Sequence, residues 1–454
     1  MCLLHKLLRL FAKTLKFVYV CAIIRLKFNT ERRIFMYDIF SIKDFSFPDN
    51  FIWGSGYAGH QVEGNNIHSQ NWKREQEGAT LEKSGLACNS YELFETDARL
   101  VKELGHRAFR TSVEWSRIEP EEGVIDEEAV NHYIKFFSSL KEKGIKVFAT
   151  LVHFTVPLWF SEKKSFGDIN NMKYFERHLE YIVPKLAPYV DYWNVMNEFN
   201  LIEDVDFKLN YLRFHARGYH IIKKYSKAPI SSAHAIVDYY PKRRFSDLDN
   251  LMAKYRDYCG NEFFFHAIRT GEIVYPHHDE VIDRDVKGSV DFWSINMYTR
   301  EMVDARLHNG HGKPFDHKRL RMIDMDFYLE EMFPECFIDN LSRLTDKPVI
   351  ITENGCSCDD DRFRIVYTAL HLSALAEAIK NGADVRGYLH WSLLDNYEWS
   401  SFKPRFGLCS VDFKTFERTP KNSAYFYRDI IEHNGFNQNI LRKYLKEMPS
   451  LAIK

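Results

Sequence analysis

The chain carries almost no net charge, no paired cysteine framework, no apolar run long enough for a bilayer and no low-complexity tract. Each absence closes a class of function. Lys plus Arg total 62 against 63 Asp plus Glu, a formal charge of −1, so the basic excess that a nucleic-acid surface needs is missing. The cysteines are Cys2, Cys21, Cys88, Cys259, Cys336, Cys356, Cys358 and Cys409, and none forms a CxxC pair. Such scatter fits reduced thiols in the cytoplasm rather than a disulfide scaffold. Cys356 and Cys358 lie close together, but two thiols supply too few ligands for a metal site, and no metal or other cofactor is expected. The longest apolar run near the start, residues 17–24, is too short to span a bilayer. With no Pro- or Ser-rich hinge and no internal repeat, the 454 residues read as one large unit.

What is present begins with a contrast. Residues 1–35 carry Lys6, Arg9, Lys13, Lys16, Arg25, Lys27, Arg32 and Arg33 against one acid, Glu31. A secretory signal would follow its apolar run with a small-residue cleavage site, and Arg25-Leu26-Lys27 follows instead. A membrane-surface helix is one reading. The favoured one is a basic extension outside the fold, covering 1–35, ahead of a catalytic unit over 36–454.

From Phe47 onward, strand-like and helix-like runs alternate. Candidate strands fall at 51–58, 108–115, 146–153, 191–198, 229–236, 291–298, 348–353 and 385–393. Several are apolar throughout, as parallel strands covered on both faces are. Tyr91, Phe94, Ala98, Val101 and Leu104 keep helical spacing, with Gly105 as the stop. Val130, Tyr133, Ile134, Phe137 and Leu140 repeat the pattern, with Gly144 as the stop. Eight strands separated by helices predict a single (β/α)8 barrel, an α/β TIM barrel. In such a barrel, chemistry collects at the C-terminal ends of the strands. Arg110, His153, Asn197, Glu198, Asn296, Tyr298, Glu353 and Trp391 occupy six of the eight candidate strands, mostly near that end.

Two carboxylates stand out. Glu198 closes the run Tyr192-Trp193-Asn194-Val195-Met196-Asn197, and Glu353 lies in Val349-Ile350-Ile351-Thr352-Glu353-Asn354-Gly355. Cleaving an acetal needs one protonated carboxyl to assist the leaving oxygen and one ionised carboxylate to meet the oxocarbenium-like centre. Glu198 is the expected acid/base, its carboxyl desolvated by Tyr192, Trp193 and Met196. Glu353 is the expected nucleophile, supported by the charge of Arg110 and a hydrogen bond from Tyr298, with Asn296 in the same supporting set. Asn197 can reach a sugar 2-hydroxyl. His153 and Trp391 are candidate sugar contacts, and Glu398 beside Trp399 must be paired or solvated.

These motifs resemble glycoside hydrolase family 1, the retaining β-glucosidase and β-galactosidase family. The resemblance runs from residue 47 to about 430. It rests on Phe51-Ile52-Trp53-Gly54 through Gln61-Val62-Glu63-Gly64, on Phe109-Arg110-Thr111-Ser112-Val113-Glu114-Trp115-Ser116-Arg117-Ile118, on the His153 run and on Asn197-Glu198. The stretch 291–298, the Glu353 run and 391–412 complete it. It implies a glycone subsite of Gln61, His153, Asn197, Glu398 and Trp399, with Trp391 beneath the ring and Phe406 near the sugar 6-position. An intact Glu398-Trp399 pair implies an unphosphorylated glycone, because a carboxylate repels phosphate. The chain departs from the family pattern at Phe199, where proline usually follows the acid/base, and at Met297, where tyrosine is usual. The segment 398–406 is one residue short.

The expected function is therefore a retaining β-glycosidase acting on unphosphorylated β-glucosides or β-galactosides by double displacement. Its partner is a small-molecule β-glycoside or oligosaccharide, with no nucleic acid and no stable membrane anchor. The alternatives are a transglycosylase, a 6-phospho-β-glycosidase and a non-catalytic sugar-binding homologue. Deleting residues 1–35 should leave the melting temperature and glycosidase turnover unchanged; a large loss of either would place the segment within the fold.

Overall fold

The computed structural model describes residues 39–307 and 332–449, so the expectation for residues 1–35 lies outside the described part. The described residues from Phe45 onward form one unit. Eight parallel strands close into a barrel: β1 (Ile52–Gly56), β2 (Ala108–Ser112), β3 (Lys146–Val152), β4 (Tyr192–Asn197), β5 (Ile230–Pro241), β6 (Trp293–Val303), β7 (Val349–Asn354) and β8 (Val385–Trp391). Each pairs with its sequence neighbours, and β8 returns to β1 with Gly387 opposite Ile52 and Trp391 opposite Gly56. All eight expected strands are present in the expected order.

Local sequence sets the layers. The helix Glu127–Glu142 is capped by Asp126, whose carboxylate accepts from the backbone N–H groups of Glu128 and Ala129 at 2.9 and 3.1 Å. That cap satisfies two of the four N–H groups a helix leaves unpaired at its start. Its apolar stripe buries Val130, Tyr133, Phe137 and Leu140, and Ile134 is half-buried. Gly144 (φ +74°) stops it in a left-handed conformation that costs glycine little. The preceding helix is shorter than its periodicity suggested, Phe94–Glu103, because Tyr91 to Leu93 form a turn.

Ile52, Ala108, Phe148, Phe292, Ile350 and Leu389 form an apolar cluster inside the barrel. They come from the starts of strands or the residue just before one, except Leu389, so the N-terminal half is filled with hydrocarbon. Polar strand residues are left for the opposite end. There, β5 and β6 run past the expected ends at 236 and 298, staying paired from Asp238 opposite Arg300 to Pro241 opposite Val303. Beyond the rim their side chains in β5 are only half-buried, so the continuous apolar signature of a barrel strand stops before the strand does.

A buried ion pair ties the closing segment to the early helix. Arg418 donates to Asp97 at 2.8 Å, and both side chains are almost fully buried. Removing one partner strands the other charge in the interior, at a cost of about 3–5 kcal/mol. Asp97→Ala should lose that much stability in urea titrations, and Asp97→Ala combined with Arg418→Met should recover part of it. A loss below about 1 kcal/mol would show that the pair contributes no more than a surface salt bridge.

Candidate active site

The C-terminal ends of the strands converge on one cavity of about 220 Å³. Its wall includes His153, Asn197, Glu198, Asn296, Tyr298, Glu353, Trp391, Glu398, Trp399 and Phe406. Arg110 and Gln61 stand behind the wall and reach it through hydrogen bonds.

Arg110 lies in the middle of β2 and is buried. Its long side chain climbs toward the rim. Nε donates to the Thr150 hydroxyl at 3.2 Å, one terminal nitrogen donates to Asn197 Oδ1 at 2.5 Å, and the other donates to Glu353 Oε1. The second oxygen of Glu353 accepts from the Tyr298 hydroxyl at 2.7 Å. The Glu353 carboxylate is thus held by a guanidinium and a phenol from two other strands. Gly355 follows closely, where a Cβ would fall 1.8 Å from the Trp391 carbonyl oxygen, so only glycine lets β7 pass the end of β8.

Glu198 follows β4 with φ +48°, in the left-handed region. For a residue other than glycine this costs about 1–2 kcal/mol. Its N–H donates to the Ala233 carbonyl at 2.7 Å, which fixes the turn. Asn296 donates from Nδ2 to Glu198 Oε1 at 2.8 Å and to Asn197 Oδ1 at 3.1 Å. Thr352 donates to the carbonyl oxygen of the Asn296 side chain at 2.8 Å, fixing its orientation. One connected network therefore runs from Glu198 through Asn296, Asn197 and Arg110 to Glu353. Phe154 (φ +62°) and Trp399 (φ +55°) also occupy the left-handed region, so backbone strain gathers at this cavity, as it does at working sites.

Burial pushes the Glu198 carboxyl up to about 8, with the negative charge of Glu353 adding to the effect. Of the expected flank, Tyr192 and Trp193 lie elsewhere. Tyr192 begins β4 at the far end of the barrel and stacks on Phe148, because each strand residue advances about 3.3 Å. Trp193 donates to Ser226 on the outer side. Burial likewise raises Glu398 to about 7, against hydrogen bonds from Trp391 Nε1 at 3.3 Å and Gln61 Nε2 at 2.9 Å. His153 is held well below the usual histidine range by burial and then by Arg110. Its Nε2 faces the Asn197 amide nitrogen at 3.3 Å, so the neutral ring accepts there and carries its proton on Nδ1. Trp391 and Trp399 stack with this ring at centroid distances of 5.9 and 5.8 Å.

Phe406 packs with Ala58 and Trp391 and meets Tyr298 edge-on at 6.4 Å. Phe199 turns away from the cavity and is buried against Tyr211 and Phe264. Met297 is buried, and its carbonyl accepts from Asn354 at 2.6 Å. Some wall residues were not singled out from the sequence. Phe154 stands edge-on to Trp399 at 5.2 Å, and its place in the His153 run was the available signal. Leu201, Ala235, Ile236, Val237 and Thr299 complete the wall, and none carries a group that announces chemistry. Among the described residues, no cluster of three or more His, Cys, Asp or Glu could hold a metal ion, and no helix is long and apolar enough to cross a membrane.

Comparison with known proteins agrees with this geometry. The family model for glycosyl hydrolase family 1 matches residues 43–237 and 207–436. A β-galactosidase of Saccharolobus solfataricus is 29% identical over 89% of this chain and 98% of its own length. A β-glycosidase from Pyrococcus horikoshii superposes with a TM-score of 0.79 at 31% identity, covering 90% of this chain and 99% of that one. A family 1 β-glucosidase from Thermotoga maritima superposes with a TM-score of 0.80 at 24% identity, covering 87% of this chain and all of that one, which speaks to the fold alone. The chain belongs to glycosyl hydrolase family 1. It is an O-glycosyl hydrolase of the β-glycosidase type, with the retaining mechanism general to that family.

The environment of Glu198 is measurable apart from turnover. Carbon-detected NMR of glutamate-labelled protein should show a side-chain carboxyl titrating near about 8, and that resonance should vanish in Glu198→Gln. A Glu198 signal titrating at the ordinary glutamate value of about 4.3 would contradict the desolvated site described above.

Proposed function

We propose that Glu198 is the general acid/base and Glu353 the nucleophile of a β-glycosidase acting on unphosphorylated β-glucosides or β-galactosides. The observation that carries the reading is the unequal pair facing one cavity. Glu353 receives a guanidinium and a phenol, whereas Glu198 receives one amide N–H and no cation. The first environment favours an anion and the second a neutral acid. Glu353 attacks the anomeric carbon as Glu198 passes its proton to the leaving oxygen and the glycosidic bond breaks. Glu198, now a carboxylate, then takes a proton from water, which displaces Glu353 and releases the sugar with its β-configuration restored.

Asn197 donates toward the 2-hydroxyl, a contact that strengthens as positive charge builds at the anomeric carbon. Trp391 offers an apolar face beneath the ring. Glu398, already held by Gln61 and Trp391, accepts from sugar hydroxyls further round the ring, and its carboxylate form, reached from about pH 7 upward, disfavours a 6-phosphate. Phe406 lies beside the 6-position. The relative named as a β-galactosidase supports a galactoside, and a solved structure named as a β-glucosidase, 27% identical, supports a glucoside. The scattered cysteines support a cytoplasmic site of action.

Removing the Glu353 carboxylate, as in Glu353→Gln, should all but abolish turnover. Glu198→Gln should cost about 10²- to 10⁴-fold in kcat/KM on alkyl β-glycosides but far less in kcat/KM on dinitrophenyl glycosides, whose leaving group needs little protonation in the first step. Equal losses on both would overturn the role assignment. A panel of nitrophenyl β-glycosides tests the glycone: gluco- or galactosides should be cleaved well, and preference for a 6-phosphoglucoside would refute the reading of Glu398.

A further inference from the structure

Behind the Gln61 wall lies a second pair of carboxylates that the reaction does not use. Glu63 follows the short helix Gly59–Val62, which carries Gln61, and Glu114 follows β2 by two residues. Both are buried, at 6% and 2% exposure. A Cβ at Gly59 would lie 2.6 Å from Glu114 Oε1 and 2.9 Å from Glu63 Oε1, so the two oxygens border one small space. We propose that Glu63 and Glu114 hold one proton between them, and that Glu114 is a positioning residue for the wall that carries Gln61.

The surroundings supply charge for one anion only. Arg117 donates to Glu63 Oε2 at 2.6 Å. The other groups around the pair are neutral donors or are already matched. Tyr133 donates to both oxygens of Glu63 at 3.0 and 3.1 Å. Asn66 donates to Glu114 Oε2 at 2.9 Å, and Ser112 donates to Oε1 at 2.9 Å. Tyr91 lies flat under the Arg117 guanidinium at 4.2 Å. His60 is matched to Glu75 at 2.8 Å. Two buried anions beside one cation would leave a charge uncompensated, which the interior does not tolerate, so the second carboxyl keeps its proton. Burial and the neighbouring Glu63 both push Glu114 upward, and the two acids titrate as a pair.

The same groups hold the Gln61 helix. Ala58, at its N-cap position, has no side chain to satisfy the first N–H groups. The Gly59 N–H donates to Ser112 Oγ at 2.6 Å, and the His60 N–H donates to Glu114 Oε1 at 3.2 Å. Gln61 then meets Glu398 and Asn396 at 2.9 and 3.1 Å, and the His60 ring lies parallel to Trp399 at 6.2 Å. Ionising both acids would make them repel across Gly59 and shift this wall.

The test compares wild type with Glu114→Gln and, as a second variant, Glu63→Gln. A carboxyl whose folded value is raised contributes stability that is fully present at low pH and is lost as pH rises from the unfolded value of about 4.5. The loss runs to about 8, where the pair gives up its second proton. Across that window the folding equilibrium of wild type should weaken relative to either variant by up to about tenfold per pH unit. Other titrating groups are common to all three proteins and cancel in the comparison. Wild-type slopes in both variants would overturn the shared proton. The positioning role rests on the glycone reading above, and its readout is the inhibition constant of glucose or galactose, whichever inhibits the more strongly, at pH values below and above the window. That ratio should be several-fold larger in wild type than in Glu114→Gln, and equal ratios would overturn the positioning role. Failure of both sugars to bind at any pH would strike the glycone reading and the positioning role together, while the stability slopes still decide the proton.

Discussion

One buried guanidinium governs the electrostatics of the cavity. Arg110 is the cation in contact with Glu353, while Glu198, Glu353 and Glu398 all line the same space. Three carboxylates cannot all be anionic beside one positive charge in a dry setting without large cost. The charge of Arg110 is delivered to Glu353, and protons must then be retained elsewhere, which is where Glu198 and Glu398 are raised. In the roles proposed above, acid and nucleophile differ because Glu353 receives one arm of the Arg110 fork and Glu198 receives none. The fork also sets position: its second arm ends on Asn197, whose amide faces His153 on one side and meets Asn296 on the other.

The fold makes that arrangement possible by segregating its layers. Hydrocarbon from the strand starts fills the lower barrel, so a long side chain from mid-strand has only one polar direction to take. Arg110 spends its length climbing from β2 to the ends of β4 and β7. The extended β5–β6 ladder raises one side of the rim and contributes the apolar part of the wall through Ala235, Ile236 and Val237. The same economy of charge recurs behind the wall, where Arg117 faces Glu63 and Glu114.

Much of this was legible in the chain. The eight strands were readable because parallel strands buried on both faces are apolar throughout, and the helix stops because Gly105 and Gly144 end amphipathic stripes. Glu198, Glu353, Asn296 and Trp391 announced themselves by sitting at strand ends. Glu398 stood out as a charge beside Trp399, but Gln61 and its meeting with Glu398 needed the family resemblance, since that meeting depends on loops whose shape no local pattern encodes. Three features were hidden for physical reasons. The continuation of β5 and β6 beyond the barrel lacks the two-sided apolar signature. Tyr192 and Trp193, close to Glu198 in sequence, are not its neighbours in space, because a strand carries Tyr192 to the opposite end and turns Trp193 outward. The wall residues of β5 are small and apolar, so nothing in their chemistry marks them.

The division of roles between the two carboxylates is tested most directly by trapping. A 2-deoxy-2-fluoro β-glucoside or galactoside with a dinitrophenolate leaving group carries an electron-withdrawing fluorine in place of the 2-hydroxyl proposed to meet Asn197, which slows both steps, while its leaving group keeps the first step the faster. The glycosyl-enzyme should therefore accumulate. Peptide mass spectrometry should find one sugar bound, as an ester, to Glu353. A label on Glu198, on another residue, or no covalent species at all under conditions where the leaving group is released, would contradict the account.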